Sequence, residues 1–214
     1  MNITILTSDK KHSIKPYLLE WANIHSKHNN IHIVYSLDKV KSGDILFLIS
    51  CSYIVKSDVR DRFRKTFVIH ASNLPKGRGW SPHIWSIING ESTIYVSLIE
   101  AMDKVDTGDI WNQKKIYFEG HELLNEINNK LFKVELDLMA SVVLDLDALS
   151  PIKQKGDSGA YLPKRTPDDS ELDLSKSIDD QFNLLRVVDS SKFPAFFIKN
   201  GIKYIIKISK DSKD

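Results

Sequence analysis

An α/β fold, with a mostly parallel sheet and helices on both faces, is predicted by three observations. Short apolar runs bounded by polar residues recur at residues 2–7, 31–35, 44–50 and 66–70, and runs of this length suit buried strands. Between the first two, Ile14, Leu18, Trp21, Ala22 and His25 recur at helical spacing, and strands alternating with helices give parallel neighbours covered on both sides. The run at 66–70 ends in His70 and opens into a Pro/Gly loop that leads to a helix. Open α/β sheets place their chemistry at such strand ends.

Taken in order, residues 2–7 form a first strand and 13–29 a helix stopped by Asn29-Asn30. The β-branched run 31–35 forms a second strand, and 44–50 is the best buried strand in the chain. Residues 66–70 make another strand, and Pro82 opens a helix over 82–89. Runs 93–101 and 110–119 flank a loop around Asp103–Asp109, and their close succession predicts antiparallel neighbours on one sheet edge. A long helix follows over 122–149, with Leu123, Ile127, Leu131, Val134, Leu138, Val142 and Leu146 on one face. Residues 151–175 are rich in proline, glycine and charge and are expected to be irregular. A short helix over 178–187 precedes a hairpin turned by Asn200-Gly201, a dipeptide suited to a two-residue turn. The expectation is a Rossmann-like domain over 1–150 and a C-terminal extension over 151–214 ending in that hairpin.

Composition excludes several classes. A length of 214 residues suffices for a substantial core, and a formal net charge of +2 gives no field that would draw nucleic acid. The single cysteine, Cys51, excludes an internal disulfide and a thiolate-rich metal site. With no basic-then-apolar leader and no apolar run of about 18 residues, the expectation is a soluble cytoplasmic protein without membrane contact. His121-Glu122 lacks the second histidine of a zinc-protease helix, so no metal is expected. Gly156-Asp157-Ser158-Gly159 reads as a turn.

Two loops carry the candidate chemistry. The first runs from His70 through Asn73, Pro75 and Lys76-Gly77-Arg78-Gly79 to Trp80, Pro82, His83 and Trp85. Its glycines let backbone N–H groups approach an anion, and its cations add charge. His70 is set apart from the other histidines because it caps an apolar run, where an imidazole is placed for proton transfer or charge stabilisation. The second loop is Val105-Asp106-Thr107-Gly108-Asp109.

Together these loops, in order and spacing, resemble the folate-dependent formyltransferases. The resemblance rests on residues 69–79, then Pro82, Trp85 and Ile88-Asn89-Gly90-Glu91, and finally Asp106-Thr107-Gly108-Asp109. It covers about the first 150 residues. It implies 10-formyltetrahydrofolate as formyl donor and an amine as acceptor, with His70 stabilising the oxyanion and Asp106 orienting His70 and helping to remove the amine proton. The folate site it implies includes Ser50-Cys51-Ser52-Tyr53-Ile54, with Asp103 and Val105 from the second loop.

One departure stands out. The family normally has an asparagine two residues before the histidine, and here that position is Val68. Losing one oxyanion donor typically costs about 10²–10³ in rate. Asn73 is the nearest substitute and Ser72 a weaker one. The departure leaves open a catalytically impaired folate- or nucleotide-binding module, or a formyl hydrolase on the same fold.

Residues 161–173, followed by Leu185-Arg186 and Pro194-Ala195-Phe196-Phe197, resemble the tail of the nucleotide-sugar N-formyltransferases. The acceptor that the resemblance implies is a nucleotide-linked 4-amino-4,6-dideoxyhexose for surface glycan synthesis, in a pathway of pseudaminic-acid type. Lys76 and Arg78 would meet its diphosphate, and Trp80 and His83 would line the sugar or base pocket. Monomer and homodimer both stay open.

Overall fold

The computed structural model describes residues 1–211. A six-stranded sheet runs β2-β1-β3-β4-β5-β6, built from β1 (Asn2–Leu6), β2 (Asn30–Val34), β3 (Gly43–Leu48), β4 (Phe63–His70), β5 (Thr93–Glu100) and β6 (Ile110–Tyr117). The β2-β1-β3-β4 ladder is parallel, while β5 runs antiparallel to both β4 and β6. Strand order reverses at β1, so the carboxyl ends of β1 and β3 flank the topological switch point. The antiparallel edge expected from residues 93–119 is present.

The sheet is covered unequally. One face packs against α1 (Lys15–His25), α3 (Pro82–Ile88) and α4 (Leu124–Leu144). Ile3, Ile5, Ile45, Phe47 and Phe67 from the strands meet Leu18, Trp21, Leu131 and Leu138 there. On the other face Leu46 and Leu48 pack with Val40, Val55 and Val59, beneath the four-residue helix α2 (Ser57–Arg60). Burial on both sides explains why β3 is apolar without alternation.

Several elements differ from the sequence reading, among them α1, which ends at His25 rather than at Asn29. Strand β4 begins at Phe63 because its charged start is neutralised: Arg64 pairs with Asp147 and Lys65 with Glu100 (2.8 Å). Helix α2 is too short to show a periodicity and went unpredicted. Helix α4 stops at Leu144, where Asp145 takes an extended φ of −157°, although Leu146 remains buried beyond it. The expected short helix over 178–187 is a 3-10 turn, Asp179–Gln181, running into α5 (Phe182–Leu185). The hairpin forms as β7 (Ala195–Lys199) and β8 (Ile202–Ile206).

Residues beyond α4 are stitched to the earlier ones by a buried ion pair. Arg186 Nη1 lies 3.4 Å from Glu122 Oε2, and both side chains are almost fully buried. Lys130 Nζ reaches the other oxygen at 2.5 Å, and the N–H groups of Glu119 and Gly120 donate to the same carboxylate. Burial raises the Glu122 pKa, but Lys130 and the backbone donors outweigh it and bring it down to about 2.

Glu135 on α4 is the opposite case. It is buried, its Oε2 has no hydrogen-bond partner among the described residues, and burial pushes its pKa up to about 8. The folded state therefore holds a proton that the unfolded chain releases near its ordinary value of 4.5. This contribution to stability is full below about pH 4.5 and is lost as pH rises toward 8. Glu135→Gln should remove that loss, raising Tm at pH 8 by about 4–8 °C for a gain of about 2 kcal/mol. Thermal melts across pH check it: a variant with the wild-type pH dependence contradicts the assignment.

Candidate active site

His70 closes β4 and is 7% exposed. Its ring is held from both sides. Nε2 lies 2.8 Å from the carbonyl oxygen of Gly77, and Nδ1 lies 3.5 Å from Asp106 Oδ1. The second distance is ion-pair range rather than a formed hydrogen bond, a spacing common before substrate tightens a site. Behind the ring, Ser97, the register partner of His70 on β5, donates from Oγ to the Ser72 carbonyl (2.8 Å) and accepts from Gln113 Nε2 (2.8 Å).

Asp106 arrives on the loop between β5 and β6. It is 9% exposed and has φ of +58°, a left-handed conformation that costs a non-glycine residue on the order of 1 kcal/mol. Its Oδ2 accepts the Gly79 N–H at 3.0 Å, so one carboxylate oxygen faces the first loop's backbone and the other faces His70. The loop closes through Glu100 N–H to Asp109 O (3.1 Å). Gly108 permits that closure, since a Cβ there would stand 1.7 Å from the Glu100 carbonyl oxygen.

The segment expected to bind folate lies at the ends of β1 and β3. Ser50 has φ of +46°. Ser8 Oγ donates to the Ser50 carbonyl (3.2 Å) and accepts the Ser52 N–H (3.0 Å), while the Tyr53 hydroxyl reaches the Tyr35 carbonyl (3.4 Å). Burial raises the Cys51 thiol's pKa, which keeps it a thiol rather than a nucleophile. Arg60, which the sequence reading missed, donates to Val55 O (2.7 Å) and to Asp103 Oδ1 (2.6 Å). It thereby joins the 50–56 segment to the Asp106 loop. Beside this junction Ile54, Met102 and Val105 stay exposed. These apolar side chains gain from covering by a flat heteroaromatic group.

Residues assigned to the acceptor divide. Lys76 is exposed, with no ion-pair partner among the described residues. Arg78 is half-buried and donates from Nη2 to Gln154 Oε1 (2.7 Å). Trp80 is 38% exposed, with Lys164 Nζ 5.1 Å from its ring centroid. His83 has a buried Nδ1 without a partner among the described residues, and burial first, then the charges of His70 and His12, bring its pKa down to about 4. It stands neutral beside His70. Trp85 donates to the Pro163 carbonyl (3.0 Å). Asn73 is exposed, and its side chain makes no hydrogen bond among the described residues. Ser72 Oγ is buried and has no partner among the described residues. Val68 lies on the same strand face as His70 and packs against the core beneath α2.

Other features resolve simply. His121 pairs at the surface with Glu119 while Glu122 points into its buried network. Gly159 N–H bonds to Asp157, as a turn does. Among the described residues no group of three or more His, Cys, Asp or Glu is placed to hold a metal, and no helix is long and apolar enough to cross a membrane. A groove of about 760 Å³ lies against β1 and β2 with Lys10, His32, Tyr35 and Lys41, and contains neither His70 nor Asp106.

An imidazole and a carboxylate converging at the strand ends of an open α/β sheet fit a group-transfer or hydrolytic class of protein. Residues 1–143 match the formyl transferase family along their length, and the chain belongs to that family. The bifunctional polymyxin resistance protein ArnA of Wigglesworthia glossinidia brevipalpis is 30% identical over 190 residues, covering 86% of this chain and 29% of that protein. The chain also spans about half the length of curated methionyl-tRNA formyltransferases that it matches. Among solved structures, a methionyl-tRNA formyltransferase from Clostridium thermocellum superposes with a TM-score of 0.81 at 22% identity, over 100% of this chain and 95% of that one. A 4-N formyltransferase from Francisella tularensis gives 0.78 at 19% identity, over 99% and 98%. At these identities the structural likeness is one of fold.

Gly108→Ala tests how the second loop is held. The added methyl must push the loop off Glu100, so Asp106 is displaced from His70 and stability falls by about 2–4 kcal/mol. Thermal unfolding with a structure of the variant checks this: wild-type Tm with Asp106 in place contradicts it.

Proposed function

We propose that this chain moves a formyl group from 10-formyltetrahydrofolate to the amine of a nucleotide-linked amino-dideoxy sugar, a 4-amino-4,6-dideoxyhexose of surface glycans. The observation that carries the reading is the approach of Asp106 to His70 at the strand ends of a chain in the formyl transferase family. The donor fits the exposed apolar side chains Ile54, Met102 and Val105 around the Arg60 junction, with the Ser50–Ile54 and Asp103 backbone nearby to meet a pterin's polar edge.

The neutral acceptor amine attacks the formyl carbon, and the carbonyl oxygen becomes an oxyanion. His70 donates to that oxygen from Nε2 after releasing Gly77 O, or from a doubly protonated ring whose Nδ1–H faces Asp106. Asp106 stabilises the charged imidazole and accepts a proton from the attacking nitrogen, directly or through water. Collapse of the intermediate breaks the bond to the folate N10, which takes up a proton and leaves as tetrahydrofolate. Val68 offers nothing to the oxyanion. Ser72, with a buried and unpartnered hydroxyl, now fits the substitute role better than exposed Asn73.

A sugar acceptor is supported by the likeness of residues 161–173 to sugar-formyltransferase tails and by the fold match to the Francisella enzyme over nearly both chains. Methionyl-tRNA is the second reading, favoured by the curated relatives and the Clostridium structure. The experiment incubates the protein with 10-formyltetrahydrofolate and a panel of nucleotide-linked 3- and 4-amino sugars, methionyl-tRNA, and water alone. Tetrahydrofolate release that needs a 4-amino sugar is the expected result. Release with methionyl-tRNA alone transfers the reading to tRNA, and release without acceptor makes the chain a hydrolase. Folate binding without any release makes it a binding module.

A further inference from the structure

We infer that Gln154 is the positioning residue that holds Asp106 in its working conformation and ties it to the acceptor loop. After α4 the chain returns along the site as a strap. Ile152 exchanges two backbone bonds with Ile110 (2.8 Å each). Leu162 then bonds through N–H to Arg78 O (2.8 Å) and through its carbonyl to Trp80 N–H (3.0 Å). A Cβ at Gly79 would stand 2.3 Å from the Leu162 carbonyl oxygen, so this contact is as close as a backbone allows.

Between these two anchors sits Gln154. Its Nε2 donates to the carbonyl oxygens of Asp106 (3.0 Å) and Gly108 (2.8 Å), and its Oε1 accepts from Arg78 Nη2 (2.7 Å). The orientation of the amide follows from its partners, because a flipped group would oppose two carbonyls with an oxygen and an arginine with an NH₂. Both amide hydrogens are spent on a loop whose Asp106 has a positive φ. Among the described residues Gln154 is the only side chain that donates to the Asp106 carbonyl. The same amide fixes Arg78, whose Nε is buried and has no partner among the described residues. An anionic acceptor drawing on Arg78 would therefore be felt at Asp106 through one side chain. Among the described residues Gln154 makes no side-chain hydrogen bond to His70 or to any position assigned to the donor.

The role in catalysis rests on the formyl-transfer reading, but the positioning role does not, and the two are tested separately. Gln154→Leu keeps bulk and loses all three bonds. Gln154→Glu keeps the Arg78 contact and turns an anionic oxygen on the two carbonyls. Amide exchange by NMR or mass spectrometry reads the Gly79 N–H, which bonds to Asp106 Oδ2, and residues 106–110. Both variants should speed exchange there by about ten-fold or more, and unchanged exchange overturns the proposal whatever the protein catalyses. For turnover, kcat should fall about ten-fold or more in both. The loss should fall on kcat, with KM for the formyl donor within about two-fold of wild type. A merely structural residue would lower Tm without that kcat-specific loss. Variants with kcat within about two-fold of wild type overturn the coupling to catalysis. A wild type inactive on every acceptor sinks the formyl-transfer reading and leaves the exchange result to decide the positioning role.

Discussion

The site depends on one constraint: a carboxylate on the β5–β6 loop must be held against an imidazole at the end of β4. Neither strand achieves this alone. Asp106 reaches His70 because Gly108 lets the loop fold onto Glu100, because the backbone turns left-handed at Asp106, and because the Gly79 N–H captures the second carboxylate oxygen. Each local cost is small beside the burial that fixes the strands. Together they narrow the carboxylate to one position, which is what preorganised electrostatic catalysis requires.

Much of the sheet could be read from residue pattern. Strand β3 announced itself by an unbroken apolar run, since both of its faces are covered, and the Asn200-Gly201 hairpin by its turn chemistry. What failed to show was short or tertiary. Helix α2 has four residues and no period, and the charged start of β4 looks like a loop until Asp147 and Glu100 supply its partners. The helix end at Asp145 was hidden by Leu146, which stays buried without being helical.

The site divides in the same way. His70 and Asp106 were visible because strand-end position and loop motif mark them, and the structure brings them together. Arg60 and Gln154 carry no local signature. One is an arginine on a minimal helix and the other a glutamine in a charged loop, and each matters only through carbonyls and carboxylates far away in sequence. Asn73 looked suitable by proximity in the chain, yet it is exposed, whereas the neighbouring Ser72 hydroxyl is buried without a partner. Proximity along a loop is a poor guide to direction.

The central claim is that the charge of Asp106 acts on His70 during formyl transfer. Single-turnover transfer by Asp106→Asn tests it most directly, because the amide keeps an oxygen for the Gly79 N–H while removing the charge. A rate lower by about 10²–10⁴ with unaltered melting and donor affinity is the expected result. A rate close to that of the wild type would contradict the account.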